Sequence, residues 1–294
     1  MKSGNKNHDF AMERRLRELN PELHRRFTNA VIALQYNLSH YKRLFPEFTD
    51  HTILHSMSVA DFSNQLIGER LHRLNADELY ALLMGCYLHD AGMGITRKDY
   101  LEFSEKIDFG SYFDEHSREN YPAIIRSFHH EFSGLFIRKY APLFDFPSEA
   151  HCWAVIQIAR GHRRTDLMDE REYPASFSLP DGDAICLPYL AALIRLADEI
   201  DVTTDRNPIL LYDIGALTIE EEIRWYKVTR AVRSMEISKR AFTLHVDASD
   251  PEILEAVRVN TAKMGQALDV CRSVVCQRTP YEITQNQVLI CEEL

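Results

Sequence analysis

The chain has 294 residues and a formal net charge of −10, from 34 basic and 44 acidic residues, and 45% of its residues are hydrophobic. This composition is ordinary for a folded globular protein and argues against a disordered chain. The acidic balance argues against a broad surface for nucleic acid or membranes, so we expect neither as a partner.

The cysteines and the N-terminal residues indicate a cytoplasmic location. The 6 cysteines are scattered without a CxxC pair, which suits a reducing compartment better than a disulfide framework. Residues 1–6 are polar and lack the apolar core of a signal peptide. No apolar run approaches the roughly 18 residues that span a membrane. We therefore expect a cytoplasmic protein, and the sequence leaves open whether it forms a homo-oligomer.

The first two thirds of the chain show apolar residues at helical spacing almost without interruption. Asn75 followed by Glu78 is typical of a capping box at a helix start, and Gly92 and Gly94 are expected to end that helix. We predict helices over 50–71, 75–92, 121–140, 147–162 and 182–203. The polar segment 166–180 between the last two is long enough to act as a lid.

After Pro208 the pattern changes. Residues 234–238 and 241–246 alternate between polar and apolar around Lys239 and Arg240, which predicts a β-hairpin. A helix over 251–277 and a last strand over 288–291 follow. The sequence therefore predicts a mainly α protein, with a helical bundle over 1–206 and a small α+β element over 207–294.

Histidines and aspartates recur at helix ends and on inner helix faces. The set is His51, His55, His89, Asp90, His129, His130, His162 and Asp198. Imidazole and carboxylate ligands without a thiol suit Mn, Fe, Co, Ni or Zn, and such mixed sets are typical of hydrolytic sites. Taken alone, Asp198 in its apolar run is better explained by a salt bridge to Arg195 or Arg206 than by a metal.

The order His55, then His89-Asp90, then Asp198 resembles the HD superfamily of metal-dependent phosphohydrolases, whose motif is H…HD…D. The run LHDAGM (88–93) is similar to the LHDIGK of HD phosphodiesterases, and LADEIDVTTDR (196–206) is similar to the run with the last metal aspartate. HEFSG (130–134) resembles the HPxxG of the binuclear HD-GYP branch, which places its next histidine ligand at His162. The GYP signature is absent, which weakens an assignment to cyclic di-GMP.

The resemblance implies an HD-domain helical bundle that holds one or two divalent metal ions, from among Mn, Fe, Zn, Co, Ni and Mg. The implied ligands are His55, His89, Asp90, His130, His162 and Asp198. Asp90 is expected to bridge two metals. On an ideal helix His129 points about 100° away from His130, so we predict a catalytic or pocket role for His129 rather than ligation. The predicted substrate-binding residues are Arg163, Arg206 and His51, of which His51 shares a helix face with His55.

The sequence therefore predicts a metal-dependent phosphohydrolase or phosphodiesterase that attacks a phosphate ester with a metal-activated hydroxide. A nucleotide is the expected substrate, and a mononucleotide is favoured over a cyclic dinucleotide because the GYP loop is missing. Two alternatives stay open. One is a non-catalytic HD module that binds a nucleotide or a protein partner, and the other is a di-iron HD oxygenase that uses the same ligands.

Overall fold

The structure is a computed structural model that describes residues 10–45, 51–110, 121–203, 220–247 and 249–293. Within these ranges the chain is mainly helical with a small C-terminal sheet, so the predicted fold class is confirmed. The helices up to residue 203 are α1 (Ala11–Leu19), α2 (Pro21–Leu38), α3 (Tyr41–Leu44), α4 (Ile53–Ile67), α5 (Ala76–Leu88), α6 (Arg97–Ser104), α7 (Tyr121–Lys139), α8 (Ala141–Phe144), α9 (Glu149–Arg160) and α10 (Leu187–Glu199).

Helix α5 is the centre of the bundle. Asn75 and Glu78 form the predicted capping box at its start, and every residue from Asp77 to Leu88 is buried. The helix packs against α1, α2, α4 and α9. A helix that is apolar all round lies inside a protein, so its C-terminal end delivers His89 and Asp90 to the interior.

The five predicted helices are all shorter in the structure, and the difference is largest for α4 and α10. Helix α4 ends at Ile67 because Gly68 adopts a positive φ of 54°, and a 3₁₀ helix (Gly68–Arg73) follows. Helix α10 begins only at Leu187, since the preceding residues bind the bundle instead. There the Asp183 amide donates to Asp77, and Ile185 pairs with Phe177 in an isolated bridge.

The C-terminal element contains α11 (Glu220–Ala231), β1 (Val232–Ile237), β2 (Ala241–Asp247), α12 (Pro251–Arg278) and β3 (Gln287–Glu293). Strands β1 and β2 form the predicted hairpin, and β3 lies parallel to β2 on its other side. Helix α12 is the crossover connection that a parallel pair requires.

The C-terminal element shares its core with the helical bundle. Helix α12 packs along α10. Phe242, Leu268 and Cys271 belong to the same buried cluster as the residues of α5 and α10. The predicted boundary between 206 and 207 stays a prediction, but apolar packing crosses it.

The segment 166–180 lies against the far end of α12. The Arg278 guanidinium donates to the carbonyl oxygens of Leu167 and Tyr173, and the Tyr173 side chain is fully buried. This anchoring differs from the lid expected for the segment. No helix among the described residues is both long and apolar enough to cross a membrane.

Candidate metal centre

Five elements of the bundle deliver the histidines and aspartates to one place. His55 lies in the first turn of α4, and His89 and Asp90 follow α5 directly. His129 lies in the middle of α7. The remaining two are His162, just after α9, and Asp198, in the last turn of α10. All of these side chains are buried except that of Asp198, which is 15% exposed.

The first cluster joins His55, His89, Asp90 and Asp198. Asp90 Oδ2 lies 3.5 Å from His55 Nε2 and 3.3 Å from His89 Nε2. Asp198 Oδ1 lies 3.1 Å from His55 Nε2 and 3.9 Å from His89 Nε2. The carboxylates of Asp90 and Asp198 thus face the same two ring nitrogens.

The second cluster joins Asp90, His129 and His162. The other carboxylate oxygen, Asp90 Oδ1, lies 3.4 Å from His129 Nε2 and 3.8 Å from His162 Nε2. The two Nε2 atoms are 2.8 Å apart. Two groups of three residues each place their ligand atoms within 4.8 Å of one another. The first group is His55, His89 and Asp90, and the second is Asp90, His129 and His162. Asp90 therefore presents one oxygen to each cluster, as a carboxylate that bridges two cations does.

The hydrogen bonds of the imidazoles show that these clusters fit metal ions. Nδ1 of His89, His129 and His162 donates to a backbone carbonyl oxygen at 2.8, 2.6 and 2.5 Å. A carbonyl oxygen only accepts, so each of these Nδ1 atoms carries the hydrogen and each Nε2 has a free lone pair. Lone pairs that face each other at these distances repel, and a cation bound by them removes this repulsion. Asp90 Oδ1 is buried among them, and no described residue donates a hydrogen bond to it.

The ionisation states also suit metal binding, which needs neutral imidazoles and ionised carboxylates. Burial lowers the pKa of His129 and of His162, so both rings are neutral near pH 7. Burial opposes ionisation of Asp90 and Asp198, but positive charge on the neighbouring imidazoles, chiefly His89 beside Asp90 and His55 beside Asp198, outweighs it and holds the pKa of each carboxyl well below its usual range. A bound metal cation supplies the same positive charge when the rings are neutral.

The structure brings His129, rather than His130, to His162. Helix α7 is kinked at Phe128, whose φ is −119° and ψ is 18°, and the turn that follows directs His129 inward. Neighbouring residues of a helix point in directions about 100° apart, so His130 faces elsewhere. His130 Nε2 lies 3.7 Å from Glu131, and burial lowers the pKa of His130 to about 3. This arrangement differs from the predicted ligand set, which included His130 and left out His129.

Gly92 and Ser133 fix α7 against the end of α5. A Cβ atom at Gly92 would lie 2.5 Å from the His129 carbonyl oxygen and from the Ser133 backbone nitrogen. Ser133 Oγ donates to the His89 carbonyl and accepts from the Gly92 amide. The sequence suggested that Gly92 ends a helix, but α5 ends at Leu88 and Gly92 lies in a short 3₁₀ helix (Ala91–Gly94), where its close approach to α7 excludes any side chain.

Arg195 and Arg206 are the two arginines that the sequence offered as partners of Asp198. Arg195 does not pair with Asp198, because its guanidinium donates to the carbonyl oxygens of Gly161 and Thr165 beside His162. Arg206 lies outside the described residues, so its predicted substrate contact stays a prediction.

A cavity of about 420 Å³ opens onto the two clusters. Asp90, His129 and Asp198 line it, and so do His51 and Arg163, two of the predicted substrate-binding residues. His51 Nδ1 also lies 3.1 Å from the Tyr41 hydroxyl.

Sequence reasoning missed several residues of the site. Asp201 contacts His55, and its spacing of one helical turn from Asp198 was the available signal. The cavity also includes residues for which the sequence gave no such signal: Arg126, Trp225, Asn260, Lys263 and Met264.

Residues 45–272 match the HD-CE family, whose domain is HD-like. The match covers more than half of the chain and extends across the predicted boundary at 206 into α12. The resemblance to HD domains read from the H…HD…D order is thereby confirmed. No curated protein matches this sequence.

Proposed function

Because the chain belongs to the HD-CE family of HD-like domains, we propose that it is a metal-dependent phosphohydrolase that acts on a nucleotide or a related phosphate ester. The observation that supports this most is the position of Asp90. Its two oxygens face separate clusters of inward-pointing Nε2 atoms. A pair of adjacent divalent cations is typical of enzymes that hydrolyse phosphate esters.

When bound, the cations would polarise the phosphoryl group and lower the pKa of an attacking water towards neutrality. The protein's part is to hold the ligand atoms in place. The Nδ1 hydrogen bonds fix each imidazole in one tautomer and orientation, and burial keeps His129 and His162 neutral.

Arg163 is the residue best placed to bind the phosphate. It lines the cavity and makes no ion pair or side-chain hydrogen bond within the described part of the chain. A guanidinium binds two phosphate oxygens at once, which orients the group. Arg160, by contrast, is engaged by Glu131 through two hydrogen bonds of 2.8 and 3.0 Å, so its charge is already compensated.

The test is metal-dependent hydrolysis by the full chain. The protein is stripped with a chelator, reloaded with Mn²⁺, Fe²⁺, Co²⁺, Ni²⁺, Zn²⁺ or Mg²⁺, and assayed on p-nitrophenyl phosphate and bis(p-nitrophenyl) phosphate. We expect activity that returns with at least one metal and is abolished in Asp90→Asn, whereas the exposed control Asp181→Asn keeps it. Stoichiometric metal binding without hydrolysis of phosphate esters would favour the non-catalytic module, and oxygen consumption by the iron-loaded protein would favour the oxygenase.

A further inference from the structure

The cavity wall comes from both parts of the chain. The helical bundle contributes the histidine–aspartate clusters and Arg163. The C-terminal element contributes Trp225 from α11, and Asn260, Lys263 and Met264 from α12. The three α12 residues have the i, i+3, i+4 spacing of a single helix face, so this face is directed into the cavity.

Apolar packing holds this C-terminal wall next to the metal ligands. A second buried cluster joins Val202 with Val228, Val257 and Met264, and Trp225 packs against it. Val202 directly follows Asp201, the partner of His55. Val202 therefore joins the wall to the chain segment that carries Asp201, and close packing sets the position of the wall relative to the clusters.

The chemistry of this wall differs from that of the metal end of the cavity. The partly buried Trp225 and the thioether of Met264 form an apolar surface of the kind on which aromatic rings stack. Asn260 offers one acceptor and two donors, and its side chain makes no hydrogen bond within the described part of the chain. Lys263 likewise makes no ion pair among the described residues. An ionised phosphate has no aromatic face to stack on an indole and no donor for the acceptor oxygen of an amide, whereas a nucleobase offers both.

We propose that the C-terminal element is the base-recognition subsite of this cavity, where the base of a nucleoside phosphate stacks on Trp225 and its polar edge bonds to Asn260. Arg163 and Lys263 bind the phosphate beside the metal clusters. The volume of about 420 Å³ falls in the range of small-molecule sites and accommodates a single nucleotide. This inference rests on the proposed function, since it names the substrate class for the same cavity.

The chain's 2 tryptophans allow a direct test of stacking. Trp153 packs on Phe177, with ring centroids 4.7 Å apart, and does not line the cavity. Trp153→Phe therefore leaves Trp225 as the single indole reporter. We expect AMP, GMP, CMP or UMP to change the Trp225 emission of this variant, with Zn²⁺ or with a chelator present. Ribose 5-phosphate, which has the same phosphate but no base, should leave the emission unchanged.

Variants then separate the base from the phosphate. We expect Trp225→Leu and Asn260→Ala each to weaken binding of the preferred mononucleotide by about tenfold. Binding of ribose 5-phosphate should stay the same, as measured by calorimetry. The matched control Gln266→Ala removes an exposed amide from α12 that does not line the cavity, and it should have no effect.

The outcomes distinguish this inference from the proposed function. Equal emission changes with ribose 5-phosphate and with nucleotides, or equal losses for both ligands in Trp225→Leu, would overturn the base subsite. The hydrolysis of bis(p-nitrophenyl) phosphate would be unaffected by that result. Conversely, a nucleotide-specific response of Trp225 in a protein without hydrolytic activity would support the subsite and refute the enzyme.

Discussion

His55 Nδ1 lies 2.6 Å from Oδ2 of Asp201, and both side chains are almost fully buried. A carboxylate at this distance orients the imidazole and raises the basicity of the opposite nitrogen, which faces Asp90 and Asp198. The contact between His55 and Asp201 therefore joins the start of α4 to the end of α10, and we propose the His55 imidazole as a metal ligand.

The role of Asp201 is tested by Asp201→Asn. An amide keeps the shape of the side chain but removes the charge that polarises His55. We expect metal affinity to fall by roughly 10- to 100-fold, the usual effect of losing such a partner, as measured by competition with a chromogenic chelator. Asp181→Asn, at an exposed position, is the control and should bind metal like the wild type. An unchanged affinity in Asp201→Asn would mean that Asp201 does not tune a metal ligand through His55.

The adjacent histidines of α7 form a matched pair. His129→Gln removes an Nε2 that faces Asp90 and His162, whereas His130→Gln removes a ring outside both clusters. We expect His129→Gln to lose the second metal and keep the first, and His130→Gln to keep both, as measured by elemental analysis. The opposite result would restore the ligand assignment suggested by the sequence.

Gly92→Ala tests the close approach of α7 to the end of α5. The new methyl group would meet backbone atoms at 2.5 Å, so the helices must separate. We expect the free energy of unfolding to fall by about 1–3 kcal/mol, with weaker metal binding at the second cluster. The control is Gly265→Ala in α12, where no described residue outside the helix's own backbone lies within 4 Å of the added carbon. That change should stabilise the protein by roughly 0.4–1 kcal/mol, and equal effects at both positions would contradict the packing argument.

Asp99 predicts a pH dependence of stability that is independent of the metal centre. It accepts hydrogen bonds from Lys139 Nζ at 2.8 Å and from the Tyr140 hydroxyl at 2.9 Å. Burial opposes its ionisation, but Lys139, Thr96 and Tyr140 together lower the pKa of Asp99 below its usual value. The folded state therefore favours ionised Asp99, so this stabilisation is present above the unfolded pKa of about 3.9 and is lost as the pH falls through the folded value.

We expect Asp99→Asn to lower the free energy of unfolding by about 1.5–3 kcal/mol at neutral pH, because a buried charged hydrogen-bond acceptor is lost. The difference from the wild type should shrink as the pH falls below about 4. Urea denaturation of the metal-free protein over a pH series measures both effects. The exposed Asp269→Asn serves as the control, and a difference that stays constant with pH would refute the assignment.

Arg163 and Arg164 separate phosphate binding from general surface charge. Both arginines are exposed, but only Arg163 of the two lines the cavity. We expect Arg163→Ala to raise KM for bis(p-nitrophenyl) phosphate by about tenfold or more while kcat changes less, since uniform binding of a phosphate is lost. Arg164→Ala should change neither constant. Similar effects of the two variants would show that only the long-range field of the arginines matters.

The sequence by itself determined the features that depend on local pattern. The capping box at Asn75, the hairpin around Lys239 and the long helix after Pro251 follow from residues only a few positions apart. The order of His55, His89-Asp90 and Asp198 along the chain likewise indicated the family, because this order is visible in the sequence without the structure.

Tertiary structure decided which of these side chains meet. Whether His129 or His130 faces His162 depends on the rotation of α7 about its axis, which the kink at Phe128 and the contact with Gly92 set. The position of Trp225 and Asn260 in the cavity wall depends on the packing of α11 and α12 beside Val202. Helix periodicity gives the relative directions of neighbouring side chains, but their absolute direction is fixed by contacts between segments far apart in the chain.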